Sequence, residues 1–150
     1  MSSKQQPAIR EVEPYSDRGV IIALDVGARR IGVATATAGV WIASPTTTVI
    51  NDQSVWDNLG ALIASVGATR IIVGLPRNLN GDDTQQTSYA RTFADDLATR
   101  TGLPIVLQDE AVTSRQAEAE LRARGKPYSK GDIDALAATY ILEDYIKDML

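Results

Sequence analysis

The chain reads as an α/β domain, a five-stranded mixed sheet with helices on both faces, in which an antiparallel meander is followed by two parallel strands. Three observations carry this expectation. Three short apolar segments with tight connections fill the stretch from Val20 to Ile50. Beyond it, helical periodicity alternates twice with continuous apolar runs, the pattern of βα crossovers. Two further helical patterns then close the chain with no strand between them.

Taken in order, residues 1–18 form a polar tail rich in Gln, Ser, Glu and Pro, expected to be flexible, and residues 19–150 form the domain. Val20 to Leu24 is a β-branched run of the kind that makes a buried strand. Gly27-Ala28-Arg29-Arg30 turns into a second strand, Ile31 to Ala36, built from small residues. A third segment runs from Val40 to about Ile50, broken by Pro45. Ser54 then caps a helix to about Val66 with Val55, Leu59, Leu62 and Ile63 on one face. Arg70 to Gly74 is a buried strand, and Leu75 to Asp83 a polar loop. A helix from about Thr84 to Arg100 aligns Tyr89, Phe93 and Leu97, and stops at Gly102-Leu103-Pro104. Ile105 to Leu107 is the fifth strand. Thr113 to Gln116 fits a capping box for a helix ending near Gly125, and the last helix starts near Gly131-Asp132.

Composition narrows the chemistry. In 150 residues there is no His and no Cys, with 44% hydrophobic and 23% charged residues. That excludes Ser-His-Asp triads, thiolate nucleophiles, disulfides and histidine-based zinc sites. A bound metal would meet hard oxygen donors, which favours Mg²⁺ or Mn²⁺. No run approaches the roughly 20 apolar residues of a membrane span, and the N-terminus lacks a signal-peptide core, so the expected compartment is the cytoplasm, with no membrane partner. The net charge of −4 counts against a general coat on nucleic acid. Local contacts remain open, because five basic residues lie between Arg115 and Lys130 against Glu118 and Glu120. A solvated helix face laced with i,i+4 pairs explains the same residues equally well.

Three acids stand in apolar surroundings: Asp25 after the first strand, Glu110 after the fifth, and Asp134 within Ile133-Asp134-Ala135-Leu136. Each has a structural explanation. Asp25 can open the turn through Gly27. Glu110 can be a solvated loop acid, and Asp134 can complement a helix dipole. Yet Asp134 shares a helical face with Ala138, Ile141 and Tyr145, a stripe that should pack on the sheet. In this topology Asp25 and Glu110 both end parallel strands, where open α/β sheets place their sites. Three clustered carboxylates raise one another's pKa unless a cation lies between them. Divalent ions resolve this, and a pair of them about 4 Å apart would serve phosphodiester displacement.

Asp25 to Ala34, Gly74-Leu75-Pro76 with Gly81, Asp109-Glu110 with Thr113-Ser114, and Lys130 to Ala138 are four segments that together resemble the YqgF (RuvX) family of ribonuclease H-like proteins. They occur in family order and spacing, over residues 20 to about 146. The resemblance implies a ribonuclease H-like fold and a cytoplasmic, metal-dependent nuclease with Asp25, Glu110 and Asp134 as catalytic and metal-binding acids. It implies structured RNA as partner, with maturation of the 5′ end of pre-16S ribosomal RNA as its role in ribosome biogenesis. The alternatives are branched DNA, as in a Holliday junction resolvase, or a non-catalytic nucleic-acid-binding module. Resolution of a junction would favour a homodimer over a monomer. The family often carries Arg directly after the catalytic Glu, whereas this chain has Ala111. Arg29, Arg30, Arg115 and Lys130 are the candidate phosphate contacts. For Arg29 and Arg30, keeping a hairpin tip soluble is the competing role.

Overall fold

A computed structural model describes residues 19–110 and 114–150. The strands are β1 (Val20–Val26), β2 (Arg30–Thr37), β3 (Ser44–Ile50), β4 (Ala68–Pro76) and β5 (Ile105–Glu110). Helix α1 (Val55–Val66) precedes β4, and α2 (Gln85–Thr101) precedes β5. Helices α3 (Ser114–Ala123) and α4 (Lys130–Met149) close the chain. The strands form one sheet in the order β3-β2-β1-β4-β5. β1 pairs antiparallel with β2 and parallel with β4; β2 and β3 are antiparallel, and β4 and β5 parallel. The expected mixed sheet is the observed one. The proposed tail, residues 1–18, lies outside the described residues, as does Thr113 of the expected capping box.

Alternation along the strands sorts the core into two layers. Ile22, Leu24, Ile31, Val33, Ile71 and Val73 face α1 and α2, meeting Leu59, Phe93 and Leu97. Ile21, Ala23, Ala34, Ala36 and Ile72 face α4, meeting Ala138, Ile141, Leu142 and Tyr145. The α4-facing residues of β2 are thus Gly32, Ala34 and Ala36, all small, which lets the helix lie close to the strand. On its outer side α4 holds α3 through Ala117, Leu121, Leu136 and Ala137.

Local chemistry explains where the elements depart from the sequence expectation. The segment Val40 to Ile42 is not strand: Gly39 and Trp41 take φ of 90° and 61°, and the amides of Val40 and Trp41 both bond to the Thr37 carbonyl. Val40 and Ile42 are exposed, and β3 starts only at Ser44. Pro45 is tolerated because β3 is an edge strand and its register against β2 shifts beside it, at Thr46. Ser54 occupies the N-cap position of α1 without a side-chain cap, and its amide instead donates to Asp52. Leu75 and Pro76 belong to β4 rather than to the loop. Tyr89 stays exposed, its hydroxyl accepting from Asn51, while Phe93 and Leu97 are core.

Candidate functional site

The three acids lie at the carboxyl end of the parallel strands, on the face covered by α4. Asp25, Ala23 and Ile21 alternate onto that face, as Glu110 does with Val106, which packs against the α4 cluster. Asp25 is half-buried and stands opposite Gly32 on β2. On its other side Leu24 pairs with Val73, which brings Gly74 of β4 alongside. Glycine on both flanks leaves the carboxylate without a cross-strand side chain. Glu110, only 8% exposed, pairs with Pro76.

Asp134 arrives from above. Its backbone carbonyl sits so close to Gly32 that a Cβ there would lie 1.9 Å from the oxygen. The N-terminus of α4 is fixed by a reciprocal capping box, Ser129 and Asp132 each accepting the other's backbone amide. Thr48 of β3 ties it down further by donating to the Gly131 carbonyl at 2.6 Å. The acid that complements the first turn is therefore Asp132, which separates Asp134 from that structural role. Ala138, Ile141 and Tyr145, the stripe shared with Asp134, do pack on the sheet.

Asp25 and Asp134 are close enough to interact. Burial pushes the Asp25 carboxyl up from its usual value to about 6, and the Asp134 charge adds to the shift. Glu110 stands apart from this pair. It is two strands away and two residues beyond the Asp25 row, a Cα separation of roughly 12 Å at ordinary sheet spacings. Among the described residues, no three acids form a group that could hold a metal ion. The donor chemistry of the Asp25–Asp134 pair fits a hard divalent cation, since such an ion offsets both the burial and the Asp134 repulsion that raise Asp25.

The candidate basic residues divide. Arg29, Arg115 and Lys130 are exposed. Arg30 instead turns inward, its Nε donating to Asp134 Oδ2 at 2.5 Å. Of the basic residues between Arg115 and Lys130, Arg122 pairs with Glu118 at 3.6 Å and Arg124 with Glu120, both i,i+4. The loop after β4 is held over the same sheet end by Arg77, which bonds to Asp83 and to Asp109, with Arg91 also on Asp83. Ala111, where the family often has Arg, lies outside the described residues.

Gly32, Thr48 and Ser129 position the site, yet the sequence reading assigned none of them a role there. Of the three, only Gly32, a glycine inside a strand, carries a sequence signal from which a close backbone approach could have been inferred.

A five-stranded sheet of this order, with acids at its carboxyl edge, defines the ribonuclease H-like class. In keeping with that, the fold matches a solved structure titled "T. thermophilus RuvC in complex with Holliday junction substrate". The TM-score is 0.50 at 15% identity, over 87% of this chain and 96% of that one. The chain belongs to the RuvX family, whose model, described as Holliday junction resolvase, matches residues 19–148. Among its relatives, a Chloroflexus aurantiacus protein is 40% identical over 131 residues, 85% of this chain and 86% of that protein. A Sulfurihydrogenibium protein is 34% identical over 128 residues, 84% of this chain and 88% of that one. Both relatives bear the name "Putative pre-16S rRNA nuclease".

Proposed function

We propose that this chain hydrolyses phosphodiester bonds in nucleic acid, and that its substrate is the 5′-extended precursor of 16S ribosomal RNA. The observation that carries the reading is the facing pair Asp25 and Asp134, with Glu110 on the same sheet face and edge. Names borne by relatives at 34% to 40% identity support the RNA substrate. The described helices include none long and apolar enough to cross a membrane, which accords with a cytoplasmic setting.

Asp25, Asp134 and Glu110 would hold divalent metal, Mg²⁺ or Mn²⁺. When bound there, such an ion would supply Lewis-acid activation of water and of the scissile phosphate. The chain's own residues do the rest. Gly32 and Gly74 let the α4 backbone and the Ile141 side chain pack close beside Asp25, and the capped start of α4 holds Asp134 over the sheet. Arg29, Arg115 and Lys130 present cationic groups to flanking phosphates. A cleft of about 480 Å³ along Thr46, Thr47, Thr48, Ser129 and Gly131 adjoins the α4 N-terminus, where the Thr47 and Ser129 hydroxyls can donate to a sugar-phosphate backbone.

The test is one Mg²⁺-dependent assay with two substrates, a 5′-extended 16S precursor and a synthetic four-way DNA junction, with Asp25→Asn as control. The reading expects the RNA to be cut and the control to be silent. Cleavage of the junction alone would transfer the activity to a resolvase, in which a homodimer is expected. Cleavage of neither, with binding retained, would leave a nucleic-acid-binding module. Undiminished cleavage by Asp25→Asn would remove the proposed metal site.

A further inference from the structure

Arg30 was a candidate phosphate contact, yet its guanidinium lies on Asp134. The backbone of Arg30 is fixed: its carbonyl accepts the Gly27 amide at 3.0 Å, closing the β1–β2 hairpin, and the residue pairs with Ile50 on β3. The side chain is less constrained. Its hydrogen bond to Asp134 runs from Nε to a single carboxylate oxygen, a one-pronged contact rather than the stronger two-pronged fork. The Arg30 side chain is 31% exposed against 14% for Asp134, so the arginine flanks the carboxylate from the solvent side. It can therefore swing away without any change in the strand.

We propose that Arg30 is the resident counter-ion of Asp134, holding that carboxylate in the metal-free protein and leaving it when a divalent cation binds. The released guanidinium is then available to a substrate phosphate. This rests on the reading of Asp134 as a metal ligand. The charge balance favours exchange: one guanidinium reaches one of the two facing carboxylates, whereas a divalent ion serves both. Carboxylate lone pairs that accept from Arg30 are not open to a metal, so the two cations compete. Arg30 thus sets the metal affinity of the site and couples metal loading to the appearance of a phosphate-binding arm. In this it acts as a positioning residue.

The test uses the full chain and begins without a variant. The Arg30 Nε–H resonance is followed by ¹⁵N NMR during titration with Mg²⁺, and Mn²⁺ affinity is measured by electron paramagnetic resonance for wild type, Arg30→Met and Asp134→Asn. The expected result is a shift of the Nε–H resonance with faster solvent exchange on metal saturation, and Mn²⁺ binding tighter by about tenfold or more in Arg30→Met. An Nε–H signal unmoved while the protein binds Mg²⁺, or Arg30→Met binding Mn²⁺ no tighter than wild type, would overturn the counter-ion role alone. Asp134→Asn binding Mn²⁺ as well as wild type would overturn the metal-ligand reading of Asp134 and this inference with it.

Discussion

Gly32→Ala is the substitution that best isolates how the fold places Asp134. An added Cβ at Gly32 would lie 1.9 Å from the Asp134 carbonyl oxygen, 2.3 Å from its carbon and 3.0 Å from the Ala135 nitrogen. All three are backbone atoms, so no rotamer change can relieve the clash. To restore even a 3.0 Å contact, the start of α4 must retreat by about 1.1 Å. Overpacking of this kind costs about 1–3 kcal/mol of stability. A 1 Å displacement of a reacting group costs on the order of 100-fold in rate. Gly74→Ala is the matched control, because its Cβ would meet the flexible tip of Ile141 at 2.5 Å rather than backbone. Urea unfolding should show both variants destabilised. Single-turnover cleavage of the 5′-extended RNA should fall about 100-fold in Gly32→Ala but less than tenfold in Gly74→Ala. A folded Gly32→Ala enzyme within threefold of wild type would refute the claim that the strand–helix approach sets the site.

Two further outcomes follow from the same geometry. Because the folded protein raises Asp25 to about 6 from 3.8, it binds more protons than the unfolded chain between those values. Metal-free stability should therefore be fully present below pH 4 on this account and decline as pH rises through 6, by on the order of 2–3 kcal/mol. Denaturation in urea across that range measures it; Asp25→Asn should abolish the decline, and saturating Mg²⁺ should offset it in wild type. Ser129→Ala removes one half of the capping box of α4 and should cost about 1 kcal/mol by thermal or urea unfolding. Its cleavage rate should fall further than the stability loss alone explains, since the capped end of α4 carries Asp134.

The strands announced themselves through apolar runs that barely overlap helical periodicity, so Val20 to Leu24, Arg70 to Gly74 and Ile105 to Leu107 marked β1, β4 and β5. From the direction of the crossovers, which puts Asp25 and Glu110 at carboxyl ends of parallel strands, and from the start of the last helix, Asp25, Glu110 and Asp134 could be brought to one edge. The misjudged stretch, Val40 to Ile42, is apolar in composition but turned by two positive-φ residues, one of them Trp41, which carries no such signature. What sequence could not supply was pairing at long range. Arg30 and Asp134 are 104 residues apart, and neither residue type nor local spacing singles out the other. Likewise, two acids near the start of one helix, Asp132 and Asp134, look interchangeable in sequence. Only the Ser129 cap separates the helix-stabilising acid from the one aimed at the sheet.

A crystal grown with Mn²⁺ tests the central claim most directly, read by anomalous scattering. The account predicts a peak between the Asp25 and Asp134 carboxylates, with Arg30 withdrawn from Asp134 and Glu110 turned toward the ion. Binding elsewhere on the protein, with the Arg30–Asp134 pair intact beside Asp25, would contradict it.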